Sequence, residues 1–356
     1  MTPLEFLYYL GYSIKKRYAL KNQKRLPCKV ISIGNITLGG TGKTPATIAL
    51  AKEVKKRGFK PCILTRGYKG KAKGPCFVSV SSRQYAVSNE KTGPTAYCLL
   101  PTAEFGDEPV LMANRLPDVP IIKCADRYKG GLFALNSSLL TPHSSLVFIL
   151  DDGFQHWSLF RDKDILLIDS TNPFANRRLP PLGQLREPIS AINRADIIVI
   201  TRADEVSNQQ SAVNSLIKEI REYNARAPIF FAEHRPLKFR AATGDIMPPE
   251  WAKEKRLFGF CGIGSPESFR KTLLSAGAEL IGFKTYRDHY RYTLGDIQVI
   301  TKDAEQSGVE WIVTTEKDIM RLRGLELPGN LVSLCIEFSV DERFYEEVFR
   351  EIKVQN

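Results

Sequence analysis

"IGNITLGGTGKTP", residues Ile33–Pro45, decides how this chain is read. The apolar run "KVISIGN" leads into it as a buried strand, and "KTPATIALAKEVKKRG" leads out as a helix. Gly39, Gly40 and Gly42 fall within four residues, so backbone N–H groups can turn inward around phosphate oxygens. The N-terminus of the following helix adds its partial positive charge. Lys43 is placed to reach the β- and γ-phosphates, and Thr44 to ligate Mg²⁺. The spacing departs from G-x-x-x-x-G-K-[ST], because Thr37 stands where the first glycine belongs. A loop of dimerising P-loop ATPases also ends in "GGTGKT", but its signature lysine is Leu38 here. The rival reading is a glycine-rich turn that binds nothing. Strand before, helix after and Gly-Lys-Thr in place favour a cradle made of Gly39, Gly40, Thr41, Gly42, Lys43 and Thr44.

Outward from the cradle, strands alternate with helices. "KPCILTRGY", "VPIIKCAD", "SSLVFILDDG", "KDILLIDS" and "ADIIVITRAD" read as strands, and "EPVLMANRL" as a helix. Near-continuous apolar strands separated by helices predict a mainly parallel sheet covered on both faces. Residues 70–95, rich in Ser, Lys and Gly, read as a hairpin or an insertion. The pattern loosens at "EHRPLKFRAATGDIMPPEW", where Pro236, Pro248 and Pro249 predict a boundary. The expected organisation is a helix and basic flank over 1–26, a P-loop α/β domain over 27–235, a linker over 236–256 and a smaller α/β domain over 257–356.

Acids sit where this fold needs them. Asp151 and Asp152 end the strand Leu146–Leu150, at the edge where open parallel sheets bind ligands. An acid there can hold the Mg²⁺ that bridges phosphates; the rival is a solvated Asp-Asp-Gly turn. Gln155 and His156 add polar donors at the same rim. Asp107 and Glu108 precede a helix, so either also reads as an N-terminal cap. His289 lies among aromatics in "TYRDHYRY", a setting more often structural than catalytic. "TRAD", Thr201–Asp204, stands where guanine-recognition motifs do, with Arg202 for the usual lysine.

Composition narrows the class. The chain has 356 residues and a formal net charge of +12, which calls for a polyanionic partner. Lys15, Lys16, Arg17, Lys21, Lys24 and Arg25 face one acid, Glu5, in the first 26 residues, so the excess is concentrated there. Residues 3–20 predict a helix with Leu4, Leu7, Ile14 and Tyr18 on one stripe and Leu10 beside it. With Phe6, Tyr8, Tyr9 and Tyr12 and the basic flank, it suits an anionic membrane surface; the alternative is a helix packed on its own domain. No apolar run reaches the roughly 18 residues needed to span a bilayer, and the N-terminus does not read as a cleavable signal. Seven cysteines without Cys-x-x-Cys, with four histidines, argue for reduced thiols and against structural zinc. Nucleic-acid binding rests on charge alone, with no recognition motif.

"GNITLGGTGKTP", "LTRGY", "GDEP", "DDGFQH", "LPPLGQLREP", "ITRAD", "FCGIGSPESF", "DHYRY" and "TTEKD" run in order from Gly34 to Asp318. Together they closely resemble the tetraacyldisaccharide 4'-kinase family, whose cradle carries the shifted glycines. The resemblance implies ATP- and Mg²⁺-dependent phosphorylation of the 4'-hydroxyl of a tetraacylated glucosamine disaccharide 1-phosphate. It also implies a peripheral place on the cytoplasmic face of the bacterial inner membrane, with no obligate protein partner. The family's general base maps onto Asp107 and its supporting histidine onto His289. Its metal acids map onto Asp151 and Asp152, with Thr44. Gln155, His156 and Arg186 are expected to meet the substrate. Tyr290 stands where the family's "DHHxY" has a second histidine. The reading from another class is a P-loop GTPase or ATPase switch acting with a protein partner, which "TRAD" favours and Leu38 opposes.

Overall fold

The computed structural model describes residues 2–68, 70–78, 101–137, 140, 145–206 and 209–352. Most of the stretch read as a hairpin or insertion, residues 79–95, lies outside them; residues 76–77 form a short edge strand.

The apolar runs become strands as expected: β1 (Lys29–Gly34), β2 (Lys60–Thr65), β3 (Cys76–Phe77), β4 (Ile121–Lys123), β5 (Leu146–Asp151), β6 (Lys163–Asp169) and β7 (Ile197–Thr201). β8 (Ile229–Ala241) and β9 (Ile246–Met247) follow, then β10 (Arg256–Cys261), β11 (Glu279–Thr285), β12 (Trp311–Thr315) and β13 (Leu331–Val340). They form one 13-stranded sheet in the order β11-β10-β12-β13-β8-β7-β6-β1-β5-β2-β4-β3, with β9 paired to β8. Each half is parallel, apart from the short strands β3 and β9. The halves meet where β8 runs antiparallel to β13.

β8 occupies residues where prolines predict a linker. Its first residues pair with β7 and its last with β13. Pro236 is tolerated because the β8–β13 register shifts between Cys335 and Ile336, where a missing N–H breaks no regular ladder.

Ten α-helices accompany the sheet among the described residues: α1 (Pro3–Lys21), α2 (Lys43–Lys56), α3 (Pro101–Phe105), α4 (Asp107–Arg115), α5 (Arg127–Leu135), α6 (Gln209–Tyr223), α7 (Pro266–Ser275), α8 (Leu294–Gln306), α9 (Glu316–Arg321) and α10 (Glu342–Phe349). α10 returns to the first half. Its Phe344, Val348 and Phe349 join Ala46, Leu50 and Val54 of α2 in one core cluster. Each such fully buried aliphatic or aromatic side chain contributes about 1.5–3 kcal/mol, so α10 fastens the C-terminal half to the cradle helix.

α1 starts with a capping box between Thr2 and Glu5. Its apolar stripe stays uncovered: Leu7 and Ile14 are each 62% exposed and Tyr18 is 70% exposed. Its other side is tied down. Arg178 grips Glu5, Tyr8 donates to the Arg186 carbonyl, and Tyr12 donates to Glu187. No helix among the described residues is long and apolar enough to cross a membrane.

Candidate active site

The strand, glycine loop and helix expected around residues 33–45 are present. β1 ends at Gly34, and α2 begins at Lys43 behind Gly42, whose φ is +85°. A Cβ at Gly42 would lie 2.4 Å from His234 Nε2, so both backbone and space require glycine. Lys43 Nζ donates to Asn35 Oδ1 at 3.2 Å and to the Gly39 carbonyl at 3.4 Å, and lies 3.8 Å from Asp152. Burial pulls the Lys43 pKa below its ordinary value, with Asp152 opposing. The buried Thr41 hydroxyl has no hydrogen-bond partner, an orphaned polar atom of the kind a phosphate oxygen satisfies. Arg202 props the loop from outside. Its guanidinium donates to the Gly40 carbonyl at 2.7 Å and pairs with Asp169. These contacts engage the arginine of "TRAD" in holding the cradle.

β5 delivers Asp151 and Asp152 to the same edge. Asp151 accepts from Thr65 at 2.9 Å and from Thr47 at 3.4 Å. Burial, Glu108 and Asp152 together push its carboxyl up to about 6. Burial would also raise Asp152, but Lys43 and Arg186 outweigh it and hold that carboxyl at about 2. Arg186 Nη1 meets both Asp152 oxygens, at 2.7 and 2.8 Å. Thr44, Asp151 and Asp152 offer hard oxygen donors of the kind Mg²⁺ takes, and are the residues that would hold it.

Gln155 and Arg186 are occupied by the protein itself. Gln155 donates to the Asn35 carbonyl at 2.8 Å and to Glu187 at 2.6 Å, while Arg186 grips Asp152. Burial and nearby Arg127 lower His156 to about 4, so its ring is neutral near pH 7. All three line the cavity that holds the cradle.

Asp107 is not a helix cap. The N-cap of α4 is Gly106, and Asp107 is the first helical residue. Its Oδ1 accepts from its neighbour's N–H, that of Glu108, at 3.1 Å. Its Oδ2 accepts from Arg321 Nε at 2.9 Å and Nη2 at 2.5 Å, and lies 3.1 Å from His289 Nδ1. Burial opposes ionisation, but the His289 hydrogen bond and the Arg321 charge outweigh it. They hold Asp107 well below the usual carboxylate range. Two residues 182 positions apart thus meet beside the cradle. Two further ion pairs join the same helices: Lys317–Glu108 at 2.6 Å and Arg115–Glu316 at 3.3 Å. The sequence carries no sign of Arg321, shows Asn35 and Glu187 only inside longer segments, and offers Arg202 in a different role. "TTEKD" pointed at Lys317 only as part of a segment.

Asp107 bonds to His289, and Lys43, Asp151, Asp152, Arg186, Lys317 and His289 line one cavity of about 1120 Å³. It runs from Tyr8, Tyr12 and Lys15 on α1, past Lys43 and Asp152, to His289.

Three comparisons bear on this geometry. The family model described as tetraacyldisaccharide-1-P 4'-kinase (LpxK) matches residues 1–353. The tetraacyldisaccharide 4'-kinase of Syntrophus aciditrophicus (strain SB) is 39% identical over 338 residues, covering 92% of this chain and 85% of the relative. That of Anaeromyxobacter sp. (strain K) is 35% identical over 302 residues, covering 84% and 73%. A crystal structure of LpxK from Aquifex aeolicus in complex with ATP superposes with a TM-score of 0.70 at 34% identity. The match covers 98% of this chain and 97% of that one.

Proposed function

The chain belongs to the tetraacyldisaccharide-1-P 4'-kinase family, and on that premise we propose that Asp107, oriented by His289, takes the proton from the acceptor while the Gly39–Thr44 cradle holds ATP. The enzyme is an ATP-dependent kinase that phosphorylates the 4'-hydroxyl of a tetraacylated glucosamine disaccharide 1-phosphate in lipid A biosynthesis. The family supports this reading and not the nucleotide switch.

The observation that carries the residue assignment is the 3.1 Å contact of Asp107 with His289, which lines the cavity that also contains Lys43. Phosphoryl transfer is mostly positioning and charge neutralisation. Lys43 and the loop amides stabilise the γ-phosphoryl group as it moves to the acceptor oxygen. Mg²⁺, held by Thr44, Asp151 and Asp152, supplies further neutralisation when bound. Asp107 accepts the hydroxyl proton, and the oxygen it leaves attacks phosphorus while ADP departs. The 27–235 region works as the nucleotide half and the 257–356 region completes the base, with closure on substrate. Gln155, His156 and Arg186 shape the acceptor end of the cavity.

The reaction is tested by following γ-phosphate from ATP to a lipid disaccharide 1-phosphate in detergent micelles. The expected product carries the new phosphate at the 4'-position; ATP consumption with no phospholipid product contradicts the reading.

α1 is the membrane contact, on the cytoplasmic face of the inner membrane. Its support is the uncovered apolar stripe beside a basic flank, with Tyr8 and Lys15 of the same helix lining the cavity. Removing residues 1–20 should weaken sedimentation with anionic vesicles, and raised salt should reproduce part of that loss by screening. A truncated protein that pellets as well as the full chain would remove this assignment.

A further inference from the structure

We infer that Arg321 is a positioning residue of this kinase: it fixes the Asp107 carboxylate so that Oδ1 is the oxygen left to meet the acceptor hydroxyl. The inference rests on reading Asp107 as the base.

Every guanidinium nitrogen of Arg321 bonds inside the protein. Its Nε and Nη2 both go to Asp107 Oδ2. Its Nη1 goes to the Gly262 carbonyl at 2.6 Å and to Asp318 Oδ1 at 2.9 Å. Asp318 is fully buried, and it accepts from Gly262 N, Thr315 Oγ1 and Tyr292 OH. The guanidinium therefore cannot swing without breaking a buried network.

The Gly262 carbonyl has a second tenant. It also accepts the backbone N–H of His289, at 3.1 Å. One carbonyl at the end of β10 thus seats both side chains that reach across to Asp107. Arg321 and His289 arrive as a unit on the second half of the sheet, and Asp107 on the first.

The consequence for Asp107 is geometric. Oδ2 is saturated by Arg321 and His289. Among the described residues Oδ1 accepts only the Glu108 N–H, which leaves it a lone pair. A lysine could supply charge at this place but not the fork that holds one oxygen and frees the other.

The consequence for charge follows. The groups that face Asp107 are His289 on the loop after β11, Arg321 and Lys317 on α9, and Glu108 on its own helix. Asp288 and Asp318 lie against Arg321 rather than Asp107. Activity needs ionised Asp107 and is lost as pH falls through its pKa. Removing the nearest permanent cation raises that pKa, because burial then works against fewer opposing charges. The acid limb should move upward.

The test uses the full chain with R321M, R321K and D107N, measuring kcat/KM for the lipid disaccharide 1-phosphate against pH at saturating Mg-ATP. This ratio reports ionisations of the enzyme before the lipid binds. The acid limb of R321M should rise by about 1–3 pH units. R321K should shift less, yet its plateau should also fall about tenfold or more, with KM for ATP unchanged. A purely structural arginine would lower the melting temperature and leave the limb in place. Coincident acid limbs and plateaus in wild type and folded R321K, beside an inactive D107N, overturn the inference; R321K decides if R321M does not fold. An active D107N overturns the base reading instead, and this inference with it.

Discussion

Replacing Asp107 by Asn lowers turnover by roughly 10²–10⁴-fold with little change in ATP binding, the loss expected of a general base. Asparagine keeps the shape and can still accept from Arg321, but it cannot take a proton. Because Gly106 caps α4, the substitution removes no cap. It does leave Arg321 with one charged partner, Asp318, where it had two. A stability loss of about 1–3 kcal/mol is therefore expected, well short of unfolding the chain. Steady-state transfer at saturating ATP, with melting temperature as control, separates chemistry from folding. A variant keeping more than about a tenth of wild-type rate is too active for a lost base. The role would then pass to Asp152 or His156 on the strand-end loop.

Lys43→Ala should reduce turnover by about 10² or more by removing one charge from the phosphate clamp. The fold should survive. Lys43 is buried against its own preference for water, and its contacts in the free protein are few: Asn35, Gly39 and the more distant Asp152. Arg186 still neutralises Asp152 in the variant. Near-normal turnover in a folded Lys43→Ala protein would remove the cradle assignment.

Much of this was legible in the sequence because it is local. The cradle, the strand ending in Asp151 and Asp152, and the helix after "GDEP" each lie within a short window. There, periodicity and glycine placement act directly. The family resemblance then linked Asp107 with His289, and the geometry puts them at 3.1 Å. What was not legible is long-range. Arg321 lies 214 residues from Asp107, and nothing in its own neighbourhood announces that partner. Arg202 read as a base-recognition residue because its motif follows a strand; its actual partner is the Gly40 carbonyl, 162 residues away. Arg186 and Gln155, expected to meet the substrate, also bond within the protein, to Asp152, Asn35 and Glu187, which the sequence did not foretell. Pro236 concealed β8, since a proline in a paired strand is accommodated only by the shifted register opposite it.

On the proposed reading the base is one unit, assembled from two halves of the sheet that meet at Asp107 and His289. The most direct measurement is a double-mutant cycle on transfer rate at saturating ATP, with Asp107→Asn, His289→Ala and both together. Residues acting as a unit give strongly non-additive losses. His289→Ala alone should cost less than Asp107→Asn, and the double variant should be hardly slower than Asp107→Asn. Losses that multiply, so that the double variant falls by the product of the two single effects, would contradict that reading.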